Sequence, residues 1–267
     1  MTRSSEQAGA RLTYVGHATV LIELGNARLL TDPLLRDRLL GVLRRTRGLE
    51  RSRLERVDAV LLSHLHLDHL DLPSLRALGA SVPIVGPPGT VAFLERRGFE
   101  NVTELEPGQA TAVAGVAVSA VEAHHAGGRI FGFGSSGTVG YLLEGGTRIY
   151  FAGDTELFAG MSDLASRLDV ALLPIWGWGP RLGPGHLDPE EAARALTLLR
   201  PRAAIPVHWG TLAPVGAGRL WPWLFEAPAR RFADSARRLA PEVDVRVLQP
   251  GESTSVAGAG ADRGSGR

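Results

Sequence analysis

The segment "SHLHLDHLD", Ser63 to Asp71, holds three histidines and two aspartates within nine residues and directly follows the apolar run "DAVLL". On an extended segment that leaves a strand, His64 and His66 point to the same side and can bind one metal ion together. Asp68 and His69 follow where the chain turns, which can direct them toward a second metal ion. The alternative is a polar loop with solvated histidines. Four ligand-type side chains in six residues after a buried strand favour the metal site.

The remaining histidines indicate a site that is assembled from distant parts of the chain. All eight histidines fall at five places, which are the segment above, His17, His124–His125, His186 and His208. Each place except His186 follows or interrupts a strand-like apolar run. Asp154 likewise follows the run "RIYF" and a glycine that permits a sharp turn. Histidines and carboxylates gathered at the carboxyl ends of strands are typical of an active site.

The elements that must position these residues are short strands mixed with helices. Strands are predicted for eight short apolar runs bounded by Gly, Asp or Pro, which are "RLTYV", "TVLIEL", "ARLLT", "DAVLLS", "VAVSAV", "GTVGYLLE", "TRIYFAG" and "DVALLP". Helices are predicted for "PSLRALG", "PGTVAFLERRG", "DPEEAARALTLLR" and "APARRFADSARRLAP". The third helix is the best defined, with Asp188 as N-cap, Pro189 at the first position and Glu191 at N3. This mixture predicts an α/β sandwich in which helices cover sheets.

Composition restricts the class of protein. The chain has 267 residues, of which 44% are hydrophobic and 21% charged, so it can bury one large core. A net charge of +1 provides no global field for nucleic acid, and we expect no nucleic-acid partner. The absence of cysteine excludes disulfides and thiolate metal ligands. Neither a signal-peptide h-region nor an apolar run approaching the roughly 18 residues of a membrane span occurs, which predicts a cytoplasmic location.

No repeat and no linker divides the chain, which predicts a single domain over residues 11–254. The first ten residues and the Gly-rich, polar tail 255–267 have nothing to bury, and both are predicted to be disordered.

Six blocks together resemble the metallo-β-lactamase-fold hydrolases, whose signature has the form His-x-His-x-Asp-His. In chain order the blocks are "YVGHATVLIE", "LLTDPLL", "DAVLLSHLHLDHLD", "YFAGDT", "HLDPEEA" and "IPVHWGTL". They are most similar to the branch that contains N-acyl-phosphatidylethanolamine-hydrolysing phospholipase D and L-ascorbate-6-phosphate lactonase. The resemblance covers about residues 11–253 and implies a four-layer αββα sandwich with a two-metal site in a groove at one edge.

The resemblance also implies a set of metal ligands. It places His64, His66 and His125 on the first metal ion, Asp68, His69 and His208 on the second, and Asp154 between them. Three protein ligands for each ion and a shared carboxylate leave positions open for hydroxide and substrate. Nitrogen and oxygen ligands without sulfur suit zinc, with manganese or iron as alternatives. We therefore expect two divalent cations per chain, zinc being the first choice.

Further assignments depend on spacing and on the resemblance. The spacing A-x-H-x-x-G-R, which the resemblance implies for the ligand, selects His125 rather than His124. His17 and Asp32 are predicted to support ligands rather than to bind metal. His186 precedes the helix "DPEEA", and the resemblance places it near the bound substrate, the alternative being an ordinary loop residue.

The predicted reaction is hydrolysis by a hydroxide that bridges the two metal ions and attacks phosphorus or a carbonyl carbon. Asp68 can orient this nucleophile or move a proton, and His186 can bind the substrate or its leaving group. A phospholipase D-like phosphodiesterase is the preferred function. A lactonase or other carboxylic-ester hydrolase is the alternative on the same site. A metal-binding scaffold without catalysis is the alternative from another class.

The walls of the site must select the substrate, and the segment Leu34–Arg53 is rich in arginine and leucine. Arginine suits phosphate recognition. An amphipathic lid or a dimer surface is an alternative role for this segment, and the sequence favours neither role over the other. Candidate cations for an anionic diester are Arg44, Arg45, Arg47, Arg129 and Arg181. Candidate apolar wall residues are Leu39, Leu40, Val42, Leu43, Trp176 and Trp178. The expected partner is a small-molecule or lipid-like ester, and peripheral membrane contact and oligomeric state are left open.

Overall fold

The computed structural model describes residues 9–40, 43–45, 54, 56–125, 137–179 and 181–258. The strands are β1 (Gly9–Gly16), β2 (Thr19–Leu24), β3 (Ala27–Thr31), β4 (Arg38–Leu39), β5 (Leu43–Arg45), β6 (Ala59–Leu61), β7 (Ile84–Gly86), β8 (Val102–Glu104), β9 (Ala110–Val113), β10 (Val116–Glu122), β11 (Val139–Glu144), β12 (Arg148–Phe151), β13 (Val170–Pro174), β14 (Ala203–Val207), β15 (Leu212–Pro214), β16 (Asp244–Val245) and β17 (Ser253–Ala257). The α-helices are α1 (Leu72–Leu78), α2 (Thr90–Glu95), α3 (Pro189–Leu199), α4 (Ala217–Leu220) and α5 (Ala227–Leu239). Ala159–Leu164 and Pro222–Phe225 form 3₁₀ helices.

Two seven-stranded mixed sheets form the centre of the fold. The first has the order β17-β1-β2-β3-β6-β7-β8, and the second has the order β16-β14-β13-β12-β11-β10-β9. In the first sheet β3, β6, β7 and β8 run parallel, and in the second β12, β13, β14 and β16 run parallel. The short strands β15, β5 and β4 form a small third sheet. Each large sheet is therefore antiparallel on one side and parallel on the other.

The main core lies between the two large sheets, where Leu29 and Leu61 of the first sheet and Phe151 and Leu172 of the second are buried in one cluster. On the outer face of the second sheet, helices α3 and α5 bury Leu196 and Phe232 against it, among others. Helices α1 and α2 cover the first sheet through Leu75 and Leu94. Because central strands are buried on both faces, they are nearly continuous apolar runs in the sequence. The order helix, sheet, sheet, helix confirms the predicted four-layer αββα sandwich.

Helix α3 begins where the sequence predicts. The Asp188 side chain accepts hydrogen bonds from the backbone N–H groups of Glu190 and Glu191, both at 2.8 Å. The Glu191 carboxylate in turn accepts from the Asp188 N–H at 3.1 Å, which completes a capping box. The helix ends before Arg200, whose φ of 45° is left-handed. The N-terminal signals in the sequence were therefore sufficient to define this helix.

The terminal strands extend beyond the predicted limits of the domain, 11 and 254. Strand β1 begins at Gly9, β17 ends at Ala257, and these two residues are paired in the register. Composition alone suggested disorder here, but pairing with β1 satisfies the backbone groups of the tail and buries Val256. The other residues predicted to be disordered lie outside the described part of the chain, except Gly258. Among the described helices, none has the length and apolar character needed to cross a membrane.

Candidate metal centre

Seven predicted ligand residues converge where several strands end. His64, His66, Asp68 and His69 follow β6, His125 follows β10, Asp154 follows β12 and His208 follows β14. The structure thus brings together residues from four separate segments. It groups them, together with His17 and His186, into four overlapping sets of nitrogen and oxygen atoms that could each hold a metal ion.

The first group consists of three histidines. His66 Nδ1 lies 3.0 Å from His64 Nε2 and 3.2 Å from His125 Nε2. Ligand atoms about 2.0–2.1 Å from a tetrahedral zinc ion are themselves about 3.3 Å apart. The three ring nitrogens therefore have the spacing of a metal-binding triad, and the residues present fit the metal ion that the fold implies.

The second group contains His69, His208 and Asp68. His69 Nε2 and His208 Nε2 are 3.1 Å apart. The Asp68 Oδ2 atom lies 3.6 Å from the first of these nitrogens and 3.7 Å from the second. His17 Nε2 lies 3.0 Å from the same oxygen. The group thus combines two buried imidazoles with a carboxylate that a further histidine contacts.

Asp154 lies between the two groups. Its Oδ2 atom is 3.2 Å from His69 Nε2 and 4.0 Å from His64 Nε2, and its Oδ1 atom is 3.4 Å from His208 Nε2. Oδ1 is buried and has no hydrogen-bond partner among the described residues. A buried carboxylate oxygen left in this state is unusual unless a cation or water binds it. Asp154 therefore contacts histidines of both groups.

Hydrogen bonds at the outer ring nitrogens orient the imidazoles. His125 Nδ1 lies 2.7 Å from the Gly185 carbonyl oxygen, and His208 Nδ1 lies 2.7 Å from the Trp176 carbonyl oxygen. Since a carbonyl only accepts, each Nδ1 must carry the proton, which leaves each Nε2 free to bind a metal ion.

Asp32 organises two more ligands in the same way. Its Oδ2 atom lies 2.8 Å from His69 Nδ1, and it accepts a 2.6 Å hydrogen bond from the Ser63 hydroxyl. The Ser63 oxygen lies 2.9 Å from His64 Nδ1, which can donate to it because the hydroxyl proton is directed at Asp32. His64 and His69 therefore both present Nε2 to the centre.

The backbone around the site adopts left-handed conformations that non-glycine residues rarely use. His17, Asp32 and His208 have φ angles of 58°, 33° and 62°. Each such residue costs of the order of 1 kcal/mol and persists only where its surroundings impose it. Gly153, directly before Asp154, has a φ of +62°, and a Cβ atom there would lie 2.5 Å from the Ser63 Cβ. This glycine lets the loop after β12 approach the loop after β6.

Burial keeps the first group neutral. It lowers the pKa of His125 to about 4, holds the pKa of His64 well below its usual range and lowers that of His66. Only a neutral imidazole can bind a metal ion. These three histidines are thus in the ligand-competent state at neutral pH.

Charges dominate in the second group. Burial alone would raise the pKa of Asp68 and Asp154. Adjacent histidines hold both pKa values well below the usual range, chiefly His69 and His17 for Asp68 and His208 and His69 for Asp154. Burial alone would lower the pKa of His69, but Asp154, Asp68 and Asp32 raise it well above its usual range. Without metal, a proton on His69 therefore balances the carboxylates where a cation would bind.

A cavity of about 660 Å³ opens over this centre. Its polar wall contains His66, Asp68, Asp154, His186 and His208. Its apolar wall contains Leu39, Leu40, Leu43, Leu67, Trp178 and Leu182. Arg181 lines it as well. The metal centre is therefore accessible to a ligand with both apolar and anionic parts.

The remaining predicted residues fall into three sets. His17 and Asp32 contact the predicted ligands Asp68 and His69, respectively. His186 Nε2 lies 3.3 Å from Asp154 Oδ2 at the cavity wall. His124 instead pairs with exposed Glu122 and stacks on Phe158. Five candidate residues of the cavity wall lie outside the part that the structure describes, which are Val42, Arg47, Arg129 and the side chains of Arg44 and Arg45. Ser63 and the Trp178 contact with Asp68 were not predicted, although both lie in segments that the sequence singles out.

The fold and the centre together define the class of protein. Residues 27–209 match the Beta-lactamase superfamily domain. The chain is 34% identical over 256 residues to a UPF0173 metal-dependent hydrolase from Rubrobacter xylanophilus, with 91% of this chain and 96% of that protein covered. It is 35% identical over 248 residues to a UPF0173 metal-dependent hydrolase from Deinococcus radiodurans, with 92% and 99% covered. The chain therefore belongs to the metallo-β-lactamase superfamily, among relatives described as metal-dependent hydrolases.

Solved structures agree with this assignment. The metallo hydrolase Igni18 from the archaeon Ignicoccus hospitalis superposes with a TM-score of 0.70 at 25% identity, over 92% of this chain and 98% of that one. An isothiocyanate hydrolase from Delia radicum gut bacteria superposes with a TM-score of 0.71 at 19% identity, over 91% and 98%. At that identity the second likeness shows the fold alone.

Proposed function

We propose that this protein is a metal-dependent hydrolase that cleaves phosphodiesters of the phospholipase D-like type. One observation carries the proposal: a single cavity combines the His/Asp centre, the Arg181 side chain and a wall of leucines. An ester that is both anionic and partly apolar would contact all three.

The proposed metal ligands are the seven residues that converge beside the cavity, with Asp154 shared by two ions. Four of them line it, namely His66, Asp68, Asp154 and His208. The nitrogen and oxygen donors suit zinc, and manganese or iron would also be accepted. When bound, divalent cations lower the pKa of water and stabilise negative charge that develops on the ester.

Asp68 and His186 have distinct roles in this proposal. Asp68 is ionised, faces the cavity and orients the attacking water through its carboxylate. His186 Nδ1 lies within hydrogen-bond distance of the Gly183 and Pro184 carbonyl oxygens, which directs Nε2 toward Asp154. Although burial lowers the pKa of His186, hydrogen bonding to Asp154 raises it overall. His186 lines the cavity beside Asp154 and is thus placed to bind the substrate or its leaving group.

Substrate selection depends on Arg181 and the apolar wall. A guanidinium forms charge-assisted and often bidentate hydrogen bonds with a phosphodiester, which a neutral lactone cannot accept equally well. The leucine wall would hold the apolar part of a small-molecule or lipid-like ester. A neutral lactone would contact the apolar wall but would gain little from Arg181. We therefore rank lactonase activity below phosphodiesterase activity.

The test compares substrates and one arginine variant. Protein supplied with zinc or manganese is assayed against a chromogenic phosphodiester, a neutral chromogenic ester and a lactone panel. We expect the diester to be hydrolysed faster than the lactones. Arg181→Ala should raise KM for the diester about tenfold, as loss of a hydrogen bond to a charged group implies, and change that for the neutral ester less than about twofold.

The control is Arg194→Ala, which removes an exposed arginine that pairs with Glu190 on the outer helix α3. It should leave both KM values unchanged. Faster lactone hydrolysis together with diester hydrolysis insensitive to Arg181→Ala would favour the lactonase, and metal binding without turnover of any ester would favour a scaffold.

A further inference from the structure

Trp178 lines the cavity and contacts a proposed metal ligand. Its indole N–H donates a hydrogen bond to Asp68 Oδ2 with a nitrogen to oxygen distance of 3.1 Å. The same oxygen faces His69 and His208. The contact thus acts on the carboxylate atom that points into the second group.

The loop that carries Trp178 is itself fixed to that group. The Trp176 carbonyl accepts from His208 Nδ1 at 2.7 Å, and the Trp176 indole N–H donates to the Gly179 carbonyl at 3.2 Å. The ring of Trp176 also meets the ring of Trp223 edge-on, with 5.8 Å between centroids. Residues 176–179 therefore hold two members of the second group, one through a backbone carbonyl and one through an indole.

The ring of Trp178 does not serve core packing. It is 40% exposed and lines the cavity. Tryptophan combines a large apolar surface with one polar N–H group, so a single side chain can contact a bound ligand and a carboxylate at once. Trp178 has this arrangement, because its ring lines the cavity while its N–H group contacts Asp68.

We propose that Trp178 is a positioning residue for the second metal group, an inference that rests on the metal binding proposed above. Its N–H group holds Asp68 Oδ2 toward His69 and His208. Because its ring is part of the cavity wall, a substrate that packs on this wall also holds the carboxylate in place. Substrate binding and the geometry of the second group are thereby linked through one side chain.

The test uses Trp178→Phe, which keeps an aromatic ring and removes the N–H group. Metal-free protein is titrated with zinc in competition with a chromophoric chelator. The first step is zinc binding to the first group, which the variant His125→Ala identifies, and the second step is zinc binding to the second group. We expect Trp178→Phe to weaken the second step about 10- to 100-fold, the usual effect of losing a hydrogen bond to a metal ligand. The first step should change less than about twofold.

Kinetics provide a second readout. Trp178→Phe should lower kcat for a small phosphodiester with little change in KM, because the ring remains in the wall. Trp178→Ala should lower kcat similarly and also raise KM for a diester with an apolar chain. A role in packing alone would not separate the two variants in this way.

Trp223→Phe is the matched control, since Trp223 contacts the same loop through Trp176 and is similarly exposed. It should titrate like the unmodified protein. If Trp178→Phe also does so, or weakens both steps equally, the positioning role is wrong while the proposed function stands. If the unmodified protein binds no zinc, the proposed function itself is wrong.

Discussion

His124 and His125 are adjacent in the chain but have different environments. His125 Nε2 lies 3.2 Å from His66 Nδ1, whereas His124 Nε2 lies 2.8 Å from the exposed Glu122 carboxylate. We therefore expect His125→Ala to lose most bound metal and nearly all turnover, and His124→Ala to keep most of both. Metal content and hydrolysis of one chromogenic ester are sufficient measurements. Equal losses, or the reverse order, would show that the ligand register is shifted by one residue.

Asp154 is the residue whose loss should affect both groups. Its two oxygens face His64, His69 and His208. In a zinc titration we expect Asp154→Ala to weaken both binding steps, each by about tenfold or more, because a shared carboxylate neutralises charge at both positions. Asp163→Ala, an exposed position in the 3₁₀ helix Ala159–Leu164, serves as control. Weakening of only one step would mean that Asp154 is not shared.

Residue types and spacing were sufficient to predict much of the candidate site. Four of the seven proposed ligands lie within six residues, and the others follow recognisable strands. The contacts that support the ligands from outside were not predicted. Ser63 acts through a hydrogen bond to Asp32, and Trp178 acts through one to Asp68, and neither partner is near in sequence. Such contacts depend on how the loops meet, which no local pattern records.

At the scale of elements, Gly153 joins two loops of the site. A methyl group at this position would lie 2.5 Å from the Ser63 Cβ, and the φ of +62° disfavours any other residue. We expect Gly153→Ala to move the loop after β12 away from the loop after β6, and so to lose most zinc binding.

The matched control is Gly146→Ala, because Gly146 also has a positive φ but a Cβ atom there would meet no other atom within 4 Å. It should lose about 1 kcal/mol of stability from backbone strain and bind zinc normally. Zinc binding by Gly153→Ala at the level of the unmodified protein would contradict the proposed role of this junction.

Several central strands were predicted because burial on both faces makes them continuous apolar runs, although the interior strand β7, with only three residues, was not. The segments "TVLIEL" and "ARLLT" coincide with β2 and β3. Strands β4, β5 and β15 were not predicted, because each has only two or three residues and depends on pairing with distant partners. This small sheet nevertheless brings Leu39 and Leu43 to the cavity. The segment Leu34–Arg53 therefore contributes to the wall through its leucines.

At the scale of the whole molecule, the protein without metal should be destabilised by mild acid. Burial lowers the pKa of His17 to about 3 and that of His125 to about 4, whereas an unfolded histidine titrates near 6.5. Between these values the unfolded state binds more protons, so stability is present above about pH 6.5 and is lost as the pH falls. The slope is at most about 1.4 kcal/mol per pH unit for each such histidine.

The lowered pKa values of His64 and His66 add to this loss of stability, whereas the pKa of Asp32, raised by burial, opposes it because folded Asp32 binds a proton that the unfolded residue has released. The remaining shifted groups act outside this window. His69, whose pKa is raised, contributes stability that is lost only as the pH rises above about 6.5, and Asp68 and Asp154, whose pKa values are lowered, lose theirs only below about pH 4. Urea unfolding of chelator-treated protein should therefore show a lower midpoint at pH 4.5 than at pH 6.5. A midpoint that is unchanged or higher at pH 4.5 would contradict the lowered pKa values of His17 and His125.

The topology could not be worked out from local patterns, and the resemblance to the metallo-β-lactamase fold supplied it. Composition and periodicity predict a mixed α/β sandwich but not the strand order of either sheet. The site exists because β6, β12 and β14, from two different sheets, end close together. That proximity is a property of the whole fold.

We propose that two metal ions bind at one shared carboxylate of this fold, and the metal content of the protein tests this proposal most directly. Protein purified without chelator, supplemented with zinc and separated from free metal is analysed for bound zinc per chain. We predict about two ions per chain, as in bridged two-metal sites. A content near zero after supplementation would contradict the claim.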